Sequence, residues 1–226
     1  MKIKLLETAG WYTVFKNLRQ SYSLDSRSNI KWEWYDNLKS DNAIINKEYH
    51  INQILDIDVY NKDLTLLSTL VKKGDSHSKI IRGLQTYVEI TAPRYWWQEW
   101  LTYVIGVLEI NPTIDWVSLN SESTMHTLKK ELKEGVLPNT TSYNKYVALS
   151  IKNILERNAS LDSTSLIELK SNLPEGYLQT RTFQVSYQAW RRIYKQRYNH
   201  KLEEWSKDIV DFIEQLPFAK ELITIE

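Results

Sequence analysis

Apolar residues follow two different periods along the chain, and these predict both strands and helices. Alternating or β-favouring residues predict strands over 2–7, over 79–90 with an end at Pro93, and over 180–185. Apolar residues at helical spacing predict helices over residues 11–18, 63–73, 94–104, 124–134, 142–157, 163–173, 187–198 and 202–216. Helices are the majority, so the pattern predicts an α+β fold with a single antiparallel sheet.

Local signals set the ends of several predicted elements. Asp63 is placed to cap the N-terminus of one helix, and Gly74 is placed to end it. Pro93 suits the first turn of the helix that follows it. Residues 20–50 mix Ser, Asp, Asn and Trp without a period and are predicted to be irregular. No internal repeat or flexible linker is found, and we therefore expect one domain over residues 1–226.

Composition excludes several classes of protein. The formal net charge is +1 and 25% of residues are charged. The protein therefore has no strong net positive potential that would attract nucleic acid or an anionic membrane surface. The chain has no Cys, which rules out disulfides, thiolate metal sites and a Cys nucleophile. No segment has the roughly 18 consecutive apolar residues of a membrane span, and the first residues lack the apolar run of a signal peptide. We expect a soluble, cytoplasmic protein.

Familiar catalytic motifs are missing from the chain. The six Gly residues form no phosphate loop, and there is no paired-His metal motif and no nucleophile elbow. The four His residues are far apart in sequence, so we do not expect a metal site, and no residue of the chain is singled out as a catalytic side chain.

A tryptophan-rich segment at residues 94–100 has two interpretations. Trp96, Trp97 and Trp100 could stack a planar ligand such as a flavin or a base. Their spacing also fits a buried helical stripe, and for Trp97 and Trp100 this second interpretation is favoured. Arg94 and Gln98 lie four residues apart on one helical face and are the better candidates for ligand contact.

Small polar residues precede the predicted helix at 124–134. In Ser121-Glu122-Ser123-Thr124, one hydroxyl group can simply cap that helix. Free N–H groups and hydroxyl groups at a helix N-terminus also form a seat for phosphate. Both interpretations remain open on the residues alone.

The basic residues between Arg181 and Lys201 form the densest cationic stretch of the chain. Such a stretch is usually a solvated helix face, and the neighbouring Glu203 and Glu204 weigh against nucleic-acid binding. A helical nucleic-acid binder is therefore the least favoured of three hypotheses.

Several segments resemble the flavin-dependent thymidylate synthases, in particular divergent phage-type members. The similar segments are the upstream His and strand region at residues 77–82, the position of an Arg-His-Arg triplet at 102–104, the Ser-x-Arg-Tyr region at 120–126, and the late nucleotide-binding helix at 194–205. The resemblance spans residues 60–217, with 1–59 as an N-terminal extension of the same domain. It implies the thymidylate synthase-like version of the α+β fold.

The resemblance also implies site residues and ligands. Ser123, Glu122 and Arg197 would bind the nucleotide dUMP, while His77, Arg94 and Gln98 would contact FAD. An active member would also use NADPH and methylenetetrahydrofolate, and it would be a homotetramer whose active site lies between subunits. The implied activity is that of a methyltransferase, the transfer of a one-carbon unit to C5 of a pyrimidine deoxynucleotide.

The chain departs from the family pattern at the triplet and beyond it. Thr102 and Val104 replace both arginines of the triplet, and Met125 replaces the arginine of Ser-x-Arg-Tyr. The spacer between these motifs is long, with an insert around residues 109–119. These departures favour a second hypothesis, a non-catalytic nucleotide-binding or protein-interaction relative on the same scaffold, which we weigh equally with the enzyme.

Overall fold

The structure is a computed structural model, and it describes residues 1–19, 57–105, 116–121, 149, 152–153, 156 and 163–225. The predictions for residues 20–50 and 124–134 lie outside these ranges. In the predicted helix at 142–157, the described residues 149, 152–153 and 156 are helical.

The described residues form four strands and a larger number of helices. The strands are β1 (Lys2–Ala9), β2 (Gln85–Pro93), β3 (Trp116–Ser121) and β4 (Leu178–Ser186). The α-helices are α1 (Trp11–Asn17), α2 (Ile57–Lys72), α3 (Asp75–Ser78), α4 (Arg94–Ile105), α5 (Ser163–Ser171), α6 (Tyr187–Arg197), α7 (Val210–Glu214) and α8 (Ala219–Leu222). A 3-10 helix spans Lys79–Gly83 and a π-helix spans Glu204–Ile209.

The strands form one sheet in the order β1-β2-β4-β3. Positions along β2 pair with positions along β4 in reverse order, which makes this central pair antiparallel. Leu84, just before β2, accepts a backbone hydrogen bond from Tyr187, and the Thr91 hydroxyl oxygen lies 2.9 Å from that of Thr180. The predicted α+β class with an antiparallel sheet and a majority of helices is confirmed.

The chain divides into two compact units, and the boundaries fall within β1, β2 and β4. The first unit contains Met1–Lys4 and Val88–Phe183, and the second contains Leu5–Tyr87 and Gln184–Glu226. Each unit has buried aromatic residues of its own.

Tryptophans of α4 form the centre of the first unit. Trp96, Trp97 and Trp100 are each at most 1% exposed. The rings of Trp96 and Trp100 stack with centroids 5.1 Å apart, and Phe183 of β4 lies 5.4 Å from Trp97 and from Trp100. Trp97 donates its indole N–H to the carbonyl of Ala92 at 3.0 Å. Since each buried aromatic side chain removes roughly 150–250 Å² from water, this cluster is a major source of stability for the unit.

Aromatic side chains with satisfied polar atoms occupy the centre of the second unit. The Trp11 ring packs edge-on against Tyr187 at 5.4 Å, and Tyr187 donates its hydroxyl to the carbonyl of Pro217 at 3.0 Å. Burial raises the pKa of Tyr187 well above its usual value. Trp190 donates to the Thr86 hydroxyl at 2.8 Å, and that hydroxyl donates to the carbonyl of Val185 at 2.9 Å.

Most strand and helix predictions within the described residues are confirmed. The structure contains the strands predicted at 2–7 and 180–185 and the helices predicted at 11–18, 94–104, 163–173 and 187–198, with ends shifted by a few residues. The stretch 202–216 is also helical, although its first part is the π-helix. The helices at 11–18, 94–104 and 187–198 bury the apolar face that their sequence period marks, which is why the pattern was informative.

The predicted N-cap at Asp63 is wrong. In the described residues α2 begins at Ile57, so Asp63 lies inside the helix. Its carboxylate is fully buried and accepts a hydrogen bond from Arg19 Nε at 2.7 Å. A buried carboxylate needs such a partner, because the charge would otherwise lose its hydration without compensation. This partner is distant in sequence, and capping rules could not foresee it.

The strand predicted over 79–90 begins later than expected. Residues 79–83 form the 3-10 helix instead, and Ile81 of this helix is fully buried. β-Favouring residues there pack as part of a helical turn, because packing overrides the weak strand preference of single residues. Strand β3 was not predicted. It lies at one edge of the sheet, and its last residue, Ser121, belongs to a segment that the sequence pattern had assigned to the start of a helix.

Gly10 lies directly against the backbone of Gly83. Its φ angle is 88°, in the left-handed region, and a Cβ atom there would lie 1.9 Å from the carbonyl oxygen of Gly83. Gly74 has a similarly positive φ of 95°, but a Cβ atom at Gly74 would meet nothing within 4 Å. Substitutions at these two glycines therefore distinguish the effect of backbone strain from the effect of steric overlap.

We expect Gly10→Ala to lower the free energy of unfolding by roughly 2–5 kcal/mol, since it combines an unfavourable φ with overpacking. Gly74→Ala should cost only the conformational part, about 1–3 kcal/mol. Urea unfolding followed by circular dichroism measures both changes. Equal losses for the two variants would contradict the close approach of Gly10 to Gly83.

Candidate functional site

Arg94 and Gln98 lie on one face of α4 and meet the same carboxylate. Arg94 Nη2 is 3.7 Å from Glu175 Oε1, and Gln98 Nε2 donates to Glu175 Oε2 at 3.1 Å. Arg94 Nη1 also donates to the carbonyl of Leu173 at 3.0 Å. The predicted shared face is confirmed, and here both side chains hold the loop before β4. Their contact with a cofactor stays a prediction.

The same loop satisfies the first backbone N–H groups of α4. The N–H of Arg94 donates to the carbonyl of Tyr177 at 3.0 Å, and the N–H of Tyr95 donates to the carbonyl of Glu175 at 3.2 Å. The first N–H groups of a helix have no partner within the helix, so such external acceptors stabilise its start.

The tryptophan segment is core and does not form an open stacking platform. Trp96, Trp97 and Trp100 are all buried, so the interpretation as a buried stripe is confirmed and the stacking of a ligand on their open faces is wrong for this chain. The physical reason is the large apolar area of three indoles on one short helix, which is most stable when removed from water.

Arg181 is a half-buried cation that the sequence interpretation did not single out for a site. Its guanidinium carbon lies 4.6 Å from the centroid of the Trp97 ring, and Nη2 donates to Gln179 Oε1 at 3.1 Å. Burial lowers the pKa of Arg181, although a guanidinium remains charged in proteins. Among the described residues, no carboxylate pairs with it.

The alternation of β4 contains the signal that could have identified Arg181. Side chains of residues two apart point to the same face of a strand, so Arg181 shares its face with Phe183 and Val185, both of which are buried. A cation at such a position must bury its stem and needs a polar or anionic partner for its head. The first unit therefore presents a rigid guanidinium that can bind an oxyanion.

Gln188 organises a buried polar network in the second unit. Its Nε2 donates to Asp75 Oδ1 at 2.9 Å, and its Oε1 accepts a hydrogen bond from Ser78 Oγ at 3.2 Å. Gln188 and Ser78 are each at most 1% exposed. Arg191, one turn after Tyr187 on α6, is also buried, and its Nη1 donates to the carbonyls of Ile223 and Ile225 at 3.0 and 2.7 Å.

The remaining predicted site residues either belong to different units or lie outside the described residues. Arg197 is half-buried in the second unit, with its guanidinium carbon 4.5 Å from the centroid of the Trp205 ring. His77 is exposed on α3 of the same unit, whereas Arg94 and Gln98 belong to the first unit. Ser123 and Glu122 lie outside the described residues, so the predicted pairing of Arg197 with the Ser123 region stays a prediction.

Residues 102–104 correspond to the family triplet, and Thr102, the residue there whose side chain is described, is not a cation. The Thr102 side chain is exposed, and its hydroxyl donates to the carbonyl of Glu99 at 2.7 Å, back into its own helix. A hydroxyl held in this way offers neither the charge nor the planar fork of an arginine.

Comparison with solved structures identifies the fold. Two crystal structures of the flavin-dependent thymidylate synthase ThyX from Helicobacter pylori, each with FAD and dUMP, match with TM-scores of 0.61 and 0.59. Each match is 15% identical in sequence and covers 99% of this chain and 98% of the other. No protein-family model matches the chain, and no curated protein matches its sequence. The likeness is therefore one of fold.

Two further properties hold for the described residues. None of the helices in that part of the chain is both long and apolar enough to cross a membrane. Within the same ranges, no three His, Asp or Glu side chains are grouped so that they could hold a metal ion.

Proposed function

We propose that this protein binds FAD and dUMP and acts as a flavin-dependent thymidylate synthase-like methyltransferase that transfers a one-carbon unit to C5 of the pyrimidine. The observation that supports this proposal is the match in fold, over nearly the whole of both chains, to enzymes that hold FAD and dUMP. Fold alone does not carry a function, so the proposal also depends on the side chains available for these two ligands.

The chain offers suitable groups for an anionic dinucleotide. In this chemistry the flavin supplies hydride, methylenetetrahydrofolate supplies the carbon, and NADPH reduces the flavin, so that the protein needs no nucleophile of its own. A chain without Cys is compatible with this requirement. We assign His77, Arg94 and Gln98 to FAD, with the partly exposed Arg94 guanidinium as a donor to phosphate oxygens.

An arginine and a polar segment are proposed for the nucleotide. We assign Ser123, Glu122 and Arg197 to dUMP, and we propose Arg181 of the first unit separately as a partner of an oxyanion. Arg181 suits this role because the Trp97 ring and Gln179 hold its guanidinium in one orientation. A guanidinium fixed in advance loses less conformational entropy when it binds a phosphate group.

A second candidate function is the binding of a nucleotide or a protein partner on the same scaffold, without flavin and without catalysis. The described Thr102 favours it, because the hydroxyl at this position is turned to its own helix and supplies no charge to a ligand. Both functions share the scaffold, and bound flavin distinguishes them.

We expect protein purified from a flavin-replete cell, or protein mixed with FAD, to show flavin absorbance bands. Saturation with FAD should also raise the melting temperature, since a ligand at a hundred times its dissociation constant adds about 2.7 kcal/mol. An absorbance scan and a thermal-shift measurement test this. Colourless protein that gains no stability from FAD would exclude the enzyme.

We expect Arg197→Ala to weaken dUMP binding by roughly 1.5–3 kcal/mol, the range for a hydrogen bond to a charged group. Arg197→Lys should recover only part of the loss, because an ammonium group lacks the planar fork. Calorimetric titration with dUMP measures the affinities, and Lys170→Ala on the exposed face of α5 is the matched control. An arginine whose removal leaves the affinity unchanged is not a nucleotide ligand.

The proposal includes a homotetramer. We expect light scattering at micromolar concentration to give a mass of four chains, because the resembled enzymes complete their pockets with neighbouring subunits. A mass of one chain, unchanged by FAD and dUMP, would rule out a shared active site.

A further inference from the structure

The backbone on either side of the Glu175 side chain is fixed against the start of α4. The turn from Pro174 to Tyr177 is closed by a hydrogen bond from the N–H of Tyr177 to the carbonyl of Pro174 at 3.0 Å. Within this turn, the carbonyl of Glu175 accepts the N–H of Tyr95 at 3.2 Å, and the carbonyl of Tyr177 accepts the N–H of Arg94 at 3.0 Å. The Glu175 carboxylate is therefore kept beside α4 by the backbone, whichever partner its side chain contacts.

The contact between Glu175 and Arg94 is close enough for electrostatic attraction but too long for a hydrogen bond. Arg94 Nη2 lies 3.7 Å from Glu175 Oε1, whereas an N–H···O hydrogen bond is usually shorter than about 3.2 Å. The two side chains are 31% and 54% exposed, and ion pairs this open to water contribute little. Among the described residues, the carboxylate accepts one hydrogen bond, from Gln98 Nε2 at 3.1 Å. Glu175 is therefore a weakly held partner that another anion can displace.

Arg94 keeps donor groups for such an anion. A guanidinium has five N–H groups, and within the described ranges the guanidinium of Arg94 makes one hydrogen bond, from Nη1 to the carbonyl of Leu173 at 3.0 Å. This bond orients the guanidinium and leaves the donors on Nη2 and Nε for a ligand. Gln98 lies one helical turn later on the same face. The guanidinium and the amide together form a receptor for an oxyanion, and the carboxylate of Glu175 occupies it.

We propose that Glu175 is a built-in competitor for the anionic ligand that Arg94 and Gln98 bind. A ligand with a single negative charge gains little by replacing a carboxylate, whereas the diphosphate of FAD brings more charge and more acceptor oxygens. The competitor belongs to the same chain, so its effective concentration does not depend on how dilute the protein is. Glu175 thereby lowers the affinity of the receptor for anions and favours diphosphates among them. The inference rests on the proposed function for the identity of this ligand, and it adds how access to the site is controlled.

Calorimetric titration of the full chain with inorganic pyrophosphate tests the competition without flavin. We expect Glu175→Gln, which keeps the size of the side chain and removes its charge, to lower the dissociation constant about fivefold, the equivalent of about 1 kcal/mol for an exposed ion pair. Glu89→Gln is the matched control, since it removes an exposed carboxylate from the same unit, and it should leave the constant within about twofold. Combining Glu175→Gln with Arg94→Gln, checked for folding by thermal melting, should abolish the gain, because the receptor has lost its charge.

Titration of the same proteins with FAD distinguishes this inference from the proposed function. Tighter binding of both pyrophosphate and FAD by Glu175→Gln supports the competition, and such a gain cannot come from partial unfolding. Tighter binding of pyrophosphate without any binding of FAD also supports it, although the proposed function then fails. Equal affinities of the wild-type protein and Glu175→Gln for pyrophosphate, no pyrophosphate binding by Glu175→Gln, or an equal gain from Glu89→Gln overturns the inference. In that case Glu175 only holds the turn to α4, and the flavin absorbance still tests the proposed function.

Discussion

The antiparallel pairing of β2 with β4 is the constraint on which the described structure depends. The helices α4 and α6 directly follow these two strands, so the strand register sets where each helix starts. In the first unit the Trp97 indole donates to Ala92 of β2 and, at 3.3 Å, to Gln179 of β4. In the second unit the Thr86 hydroxyl links the backbone of β4 to Trp190. Large side chains thereby reinforce the backbone ladder in both units.

Buried and half-buried arginines recur in the described residues, and their partners belong to several chemical classes. Arg19 pairs with a buried carboxylate, Arg191 with backbone carbonyls, Arg181 with an indole ring and an amide, and Arg197 with an indole ring. Carboxylate and carbonyl partners neutralise or solvate the guanidinium, whereas an aromatic ring leaves most of its N–H groups available. This difference makes Arg181 a better candidate for an anionic ligand than Arg19 and Arg191.

The candidate site could be predicted from the sequence only where its parts lie close together along the chain. Arg94 and Gln98 share a face because they are four residues apart, and helical geometry alone dictates that result. Their common partner Glu175 is 77 residues from Gln98 and follows from no local rule. The interpretation of the tryptophans as an open stacking platform was wrong for a related reason. Their spacing shows that the indoles share one helix face, but it does not show whether that face packs in the core or against a ligand.

The sequence by itself determined the class of the fold and most of its elements, because apolar period and turn residues act over a few neighbouring positions. The lack of Cys excludes thiol chemistry, and the spacing of the tryptophans predicts the helix that contains them. Only the tertiary structure decided that Asp63 is a buried ion-pair partner, that residues 79–83 form a helical turn, and that Arg181 rests on Trp97. These features depend on contacts between residues far apart in the chain, whose energies outweigh local preference.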